Sequence, residues 1–215
     1  MRVRKSFERR EGVKIPKLVV VAAEGRKTEK IYIEALRDER CASGVQVKVL
    51  EREENESSPD KVLGQLRAFK EEYKTEDYDE LWVVVDRDRW EERMLSEVAQ
   101  ACENDKIMHF CLSNPCFELW LLLHLEDIST YTPDKMVKLK ENKRAGKNSD
   151  TWLKKRVRKL MGQYSESKYD APALVKSVQH AITRARNLDV NPKDRWPQTV
   201  GTRVYLLAES IMREK

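Results

Sequence analysis

The stretch KLVVVAAEGRKTEK, residues 17 to 30, decides the fold. After Lys17, residues 18 to 23 form an apolar run of strand length centred on three valines, the pattern of a strand covered on both faces. From Thr28 the sequence TEKIYIEALRDER sets Ile31, Ala35 and Leu36 on one side of a helix. Between strand and helix stand Glu24 and Gly25. A carboxylate at the tip of a buried strand is either an ordinary turn residue or one aimed at a ligand. A second acidic cluster at the same place decides between them.

Outward from this stretch the alternation repeats. VQVKVLE reads as a strand. SPDKVLGQLRAFKEEYK reads as a helix with Ser58 at the N-cap and Pro59 at the first helical position. ELWVVVDRD is a strand, ERMLSEVAQACEND a helix and KIMHFCLS a strand. Four strands separated by helices predict βαβ crossovers and a largely parallel four-stranded sheet with flanking helices, an α/β fold. Beyond Ser113 the alternation stops. CFELWLLLHLED is apolar nearly all round and predicts a buried helix. PDKMVKLKENKR, SDTWLKKRVRKLM, APALVKSVQHAITRARNLD and TVGTRVYLLAESIMREK each predict a helix. The expected organisation is a basic arm over residues 1–16, an α/β core over 17–126 and a helical C-terminal elaboration over 127–215, with a soft boundary at DISTYTPD.

The chain of 215 residues is long enough for one domain with a sizeable core. With 37% charged and 40% hydrophobic residues it is polar yet globular in composition, and its net charge of +5 is a modest basic excess. No run reaches the roughly 18 apolar residues that a membrane helix needs. The basic start MRVRKSFERREGVK lacks the apolar centre of a signal peptide, so a cytoplasmic protein is expected. Cys41, Cys102, Cys111 and Cys116 show no C-x-x-C spacing, and His109, His124 and His180 are scattered. These read as packing residues.

The second acidic cluster is LWVVVDRDRW, where Asp86 and Asp88 follow a hydrophobic strand as Glu24 does. In extended chain, residues two apart point to one side, so the pair can share a cation. Ligands of parallel sheets collect beyond the carboxyl ends of the strands. If the first and third strands are neighbours, Glu24, Asp86 and Asp88 converge. Clustered carboxylates repel and raise one another's pKa, and a hard divalent cation such as Mg²⁺ or Mn²⁺ relieves that. Haloacid-dehalogenase-type phosphatases place their acid pair on the first strand. Glycosyltransferases with a D-x-D leave the early Glu-Gly unexplained. Neither a phosphate loop nor a nucleophile elbow is present.

Glu-Gly after the first strand with D-x-D after a later one is the pattern of the Toprim fold of topoisomerases, primases and related nucleases. EGRKTEKIYIEAL, VVVDRDRW, SNPCFELWLLLHLED and the late WPQTVGTRVYLLAES together resemble the RloB-like family of bacterial defence proteins. The resemblance spans most of residues 17–210. It implies a Toprim-like, metal-dependent nuclease in antiphage defence of the abortive-infection type, often encoded beside an ATPase partner. Glu24 matches the Toprim glutamate, and Asp86 and Asp88 match the D-x-D. Glu24 then either joins the metal ligands or serves as general base.

Around this site, Gly25, Arg26, Lys27 and Thr28 form a loop ahead of a helix that Thr28 is expected to cap, a seat suited to phosphate. Asn114 is expected either to cap the helix that Pro115 begins or to hold a phosphate oxygen. Glu118 reads either as a first-turn acid favoured by the helix dipole or as a residue orienting a basic side chain or a metal-bound water in the site. The run KENKRAGKNSDTWLKKRVRK offers Lys143, Arg144, Lys147, Lys154, Lys155, Arg158 and Lys159 to nucleic-acid phosphates from a solvated face, with Trp152 either stacking on a base or in the core. The expected substrate is DNA or RNA, transfer RNA included, and the chain is free to form a homo-oligomer. The rival reading is a catalytically silent sensor or binding module for an ATPase or a phage component. A topoisomerase-like third reading needs a tyrosine nucleophile, usually delivered by another domain; Tyr32, Tyr164 and Tyr169 are present, none in a recognisable context.

Overall fold

The computed structural model describes residues 5, 7, 15–52, 58–147 and 149–213. Strand β1 (Lys17–Ala23) leads through helix α1 (Thr28–Arg40) to β2 (Val45–Val49). Helix α2 (Pro59–Glu72) then leads to β3 (Glu80–Asp86), and α3 (Glu92–Glu103) to β4 (Met108–Asn114). These four strands are parallel, in the order β2-β1-β3-β4. The chain runs outward from β1 to β2, then crosses back past β1 to β3. The junction of β1 and β3 is therefore the point where strand order reverses, and a crevice opens at such a point.

The strands alternate between two apolar layers. Leu18, Val20, Ala22, Leu81, Val83 and Val85 pack against α2 and α3. Val19, Val21, Ala23, Trp82 and Val84 face the other layer, where α1 meets α4 (Glu118–Leu125) and the later helices. Each fully buried Val or Leu contributes about 1.5–3 kcal/mol, so both faces must be covered. The later elements are α5 (Pro133–Glu141), α6 (Trp152–Met161), the hairpin strands β5 (Tyr164–Ser165) and β6 (Lys168–Tyr169), α7 (Ala171–Val175), α8 (Val178–Leu188), β7 (Gly201–Thr202) and α9 (Val204–Met212). Their apolar faces join the same cluster as β1 and α4, so the C-terminal half shares the core of the sheet.

Several expectations are corrected. The sheet has five strands, because β7 adds antiparallel to β4 through Ser113 and Asn114. A two-residue pairing leaves no periodicity to read, and it delays the last helix to Val204. Residues 171–188 form two helices, since Ser177 caps back onto Leu174 and His124 through its hydroxyl. Asn114 does not cap a helix. It ends β4, donates Nδ2 to Pro197 O at 3.1 Å and precedes a cis peptide to Pro115, and the helix starts at Glu118. Thr28 is the first residue of α1, not its cap; Lys27 holds the cap position, and Thr28 Oγ1 donates to Glu166 O at 3.1 Å. Of the basic arm, Lys5, Phe7, Ile15 and Pro16 are described. Lys5 pairs with Glu72 and Phe7 packs edge-on against Phe69 and Tyr73, while the rest of that expectation lies outside the described residues.

Candidate active site

Glu24 is the first residue past β1. Its N–H donates to Val84 O at 2.9 Å, which extends the β1–β3 ladder by one step. Its side chain turns toward β3, where Oε2 accepts the N–H of Asp86 at 3.0 Å. Asp86 is the last residue of β3, and its Oδ1 accepts the N–H of Phe117 at 2.8 Å, at the start of α4. Two strand tips and a helix start are thus tied at one point of the switch crevice. The strand ends at Asp86, so Asp88 lies in the following turn, held by Asp88 N–H to Pro115 O at 3.2 Å. The period-two argument fails there, yet Asp88 still lines the crevice with Glu24 and Asp86.

Four further acids line the same crevice, Glu29, Glu118, Glu141 and Glu166, and the first two are buried. Glu118 accepts from Tyr164 Oη at 3.0 Å and faces Lys154 Nζ at 3.7 Å. Glu29, in the first turn of α1, is only 4% exposed, and its Oε2 is buried without a hydrogen-bond partner. Gly25 makes room for it: a Cβ there would stand 1.8 Å from Glu29 Oε2. Sequence reasoning missed Glu29, because an acid in a first helical turn reads as a dipole complement. Its one signal is the glycine four positions earlier.

Burial is the main cause of the shifted acids. Asp86 is held well above the carboxylate range by burial, then by Glu29, Glu24, Glu118 and Asp88. Burial, with Glu118 and Glu24, pushes Glu29 up to about 7. Glu24 and Asp88 are raised by burial, against the pull of Arg89. The stability carried by protonated Glu29 is complete below about 4.5 and is lost as pH rises through about 7. The thermal midpoint of the protein in chelator is therefore expected to fall as pH rises across this window, and added Mg²⁺ to counter the fall. Melting curves with chelator and with Mg²⁺ check this; a flat profile in chelator would mean that Glu29 is not raised in the folded protein.

Cations rim the acids. Arg26, Lys27, Arg52, Arg89, Arg144 and Lys154 line the crevice, and Arg52 Nη1 donates to Glu24 O. The expectation that Lys154 stands on a solvated face is corrected: its side chain is 15% exposed and sits between Glu118 and Glu166. It neighbours Leu153, which points into the core, so the helix turns Lys154 inward. Arg158 is tied to Asp150 and to Tyr164 O. Lys143 pairs with Glu141, while Lys155 and Lys159 are exposed on α6. Lys143, Lys147, Lys155, Arg158 and Lys159 do not border the crevice. Trp152 is half-buried against Tyr131.

His124 is a satisfied core histidine, bonded to Tyr32 Oη and Trp120 O at 2.8 Å each, and burial pulls it down to about 4. The candidate tyrosines are engaged: Tyr32 with His124, Tyr164 with Glu118, and Tyr169 with Thr28 O at 2.6 Å. Burial raises all three hydroxyls, which disfavours the nucleophilic phenolate. All four cysteines are free thiols.

Among the described residues, no three His, Cys, Asp or Glu side chains are set to hold one ion between them. Mg²⁺ does not require such a cage, because it keeps several waters and binds through one or two carboxylates. The anionic donors of the crevice are carboxylates, one oxygen of which is buried and unpartnered; the one thiol that lines it, Cys116, is held protonated by burial, and this donor set fits a hydrated hard cation. Among the described residues, no helix is long and apolar enough to cross a membrane.

No curated protein and no solved structure matches the chain. The family model described as RloB-like protein matches residues 19–211, which takes in the acids, their cationic rim and the C-terminal helices. The chain belongs to the RloB-like protein family.

Proposed function

We propose that the chain is a Toprim-like nuclease that hydrolyses nucleic-acid phosphodiester bonds with Mg²⁺ or Mn²⁺, acting in antiphage defence with an ATPase partner. The observation that carries this reading is the gathering of Glu24, Asp86 and Asp88 in one crevice at the strand-order reversal, inside a rim of cations. Asp86 and Asp88 would hold the cation. When bound, it polarises the scissile phosphate and lowers the pKa of a water molecule. Glu24 keeps Oε2 fixed on the backbone and offers Oε1 to the cation or to the proton of the attacking water. Arg89, Arg144 and Lys154 neutralise phosphate charge, and Glu118 positions Lys154.

The test is incubation of the purified protein with plasmid, single-stranded DNA and total RNA, in Mg²⁺ or Mn²⁺, alone and with the neighbouring ATPase. Cleavage of at least one class, lost in chelator, is expected. Intact substrates in every arm would contradict the reading. One observation favours the silent sensor instead. Glu24 and Asp86 each spend an oxygen on a backbone N–H, as structural carboxylates do. For a sensor, the acids are dispensable to partner binding and all substrates stay intact.

A further inference from the structure

We infer that the nucleic-acid strand reaches the acids along a groove over the carboxyl end of β2, gripped through its phosphates by Arg26, Lys27, Lys30 and Arg52. The inference rests on the nuclease reading and adds the path of the substrate to it. A groove of about 430 Å³ lies beside the acid crevice, whose volume is about 730 Å³. The two share Gly25, Arg26, Lys27, Arg52 and Ser167, so they form one continuous channel. Its two ends differ in charge. The crevice end is lined by seven carboxylates and six cations, whereas the groove end presents four cations, three of them shared with the crevice, against Glu34 and Glu51.

A phosphodiester chain fits this division. One phosphate sits at the acids, where a cation is needed to bridge like charges. Its neighbours along the strand lie against the four basic side chains. Arg52 joins the two parts: Nη1 is fixed on Glu24 O, and its buried Nε has no hydrogen-bond partner among the described residues. Lys30 Nζ pairs with Glu51 at 2.9 Å, but Glu51 is 85% exposed, and such a pair yields readily to a phosphate. The apolar lining comes from Ala23, Ile31, Val49 and Leu50, and among the described residues no aromatic ring lines the groove for a base to stack on. The grip is therefore on the backbone and independent of base sequence. The outer face of α6 is the competing path, but Lys155 and Lys159 border neither part of the channel.

The salt dependence of binding tests this path. Binding of a labelled oligonucleotide, single-stranded and duplex, is followed in Mg²⁺ with the Asp86→Asn protein, so that cleavage does not intrude. Adding Arg26→Gln, Lys27→Gln, Lys30→Gln and Arg52→Gln removes four phosphate contacts. Affinity should fall at least about tenfold, and the slope of log K against log salt should become shallower by about three. Lys27→Gln with Lys30→Gln alone, which keeps the Arg52 anchor, should flatten the slope by about half as much. Lys155→Gln with Lys159→Gln should leave the slope unchanged. An unchanged slope in the folded groove variants, or a loss confined to the α6 variant, overturns the path and leaves the nuclease reading standing. Failure of the parent protein, with Asp86 intact, to bind any nucleic acid in Mg²⁺ overturns both.

Discussion

Asp86→Asn is expected to lower cleavage by about 10³-fold or more, equivalent to about 4 kcal/mol of transition-state stabilisation, without loss of the fold. The substitution removes a charge that the cation and the phosphate both depend on. It retains an oxygen to accept the N–H of Phe117, which Asp86 Oδ1 holds at 2.8 Å. Asp86→Ala is a poorer test, because that N–H would lose its acceptor at a cost of about 1–3 kcal/mol. The asparagine also relieves repulsion from Glu29, Glu24, Glu118 and Asp88. In chelator its thermal midpoint should equal or exceed that of the parent. Its stabilisation by Mg²⁺ should shrink, since a ligand raises the midpoint only through binding to the folded state. Full protection in a phage challenge by Asp86→Asn would favour the sensor over the enzyme.

Arg203→Ala is expected to destabilise the protein by about 3–5 kcal/mol, or roughly 10 °C in midpoint. Arg203 Nε and Nη2 meet Asp189 at 3.1 and 3.2 Å, and the two side chains are 9% and 2% exposed. Tyr205 Oη donates to the same carboxylate at 3.0 Å, and Arg203 Nη1 donates to Arg195 O at 3.0 Å. Truncation leaves Asp189 charged, buried and without its cation. Replacing both partners by apolar residues of similar size should recover much of the loss, because the desolvation penalty then disappears from both. Denaturant unfolding of the single and double variants measures this. The network also holds the segment carrying Pro197, whose carbonyl accepts from Asn114 beside the site.

The parallel strands were legible because their apolar runs are continuous and each ends in a polar turn. Their order was not, since a crossover can place the next strand on either side. The adjacency of β1 and β3, on which the convergence of the acids depended, came only with the register of Val19–Ala23 against Glu80–Val84. Glu24 and Asp86 were legible as acids at strand tips. Glu29 was hidden in an ordinary-looking first helical turn, and Lys154 in a run of nine cations that reads as one solvated face. Which member of a basic helix points inward depends on its neighbour Leu153 and on Glu118, 36 residues earlier in sequence. Glu166 belongs to a six-residue hairpin too short to leave a period, yet it closes on Lys154 at the mouth of the crevice.

Anomalous diffraction from crystals soaked in Mn²⁺ tests the central claim most directly, because it locates the cation without reference to substrate or partner. The account predicts a peak in the crevice between β1 and β3, within ligand distance of Asp86 or Asp88, with waters completing the shell and Glu24 alongside. The same soak of Asp86→Asn crystals should lose most of that peak. A parent crystal with no manganese among Glu24, Asp86 and Asp88, at concentrations that support any cleavage, would contradict the account.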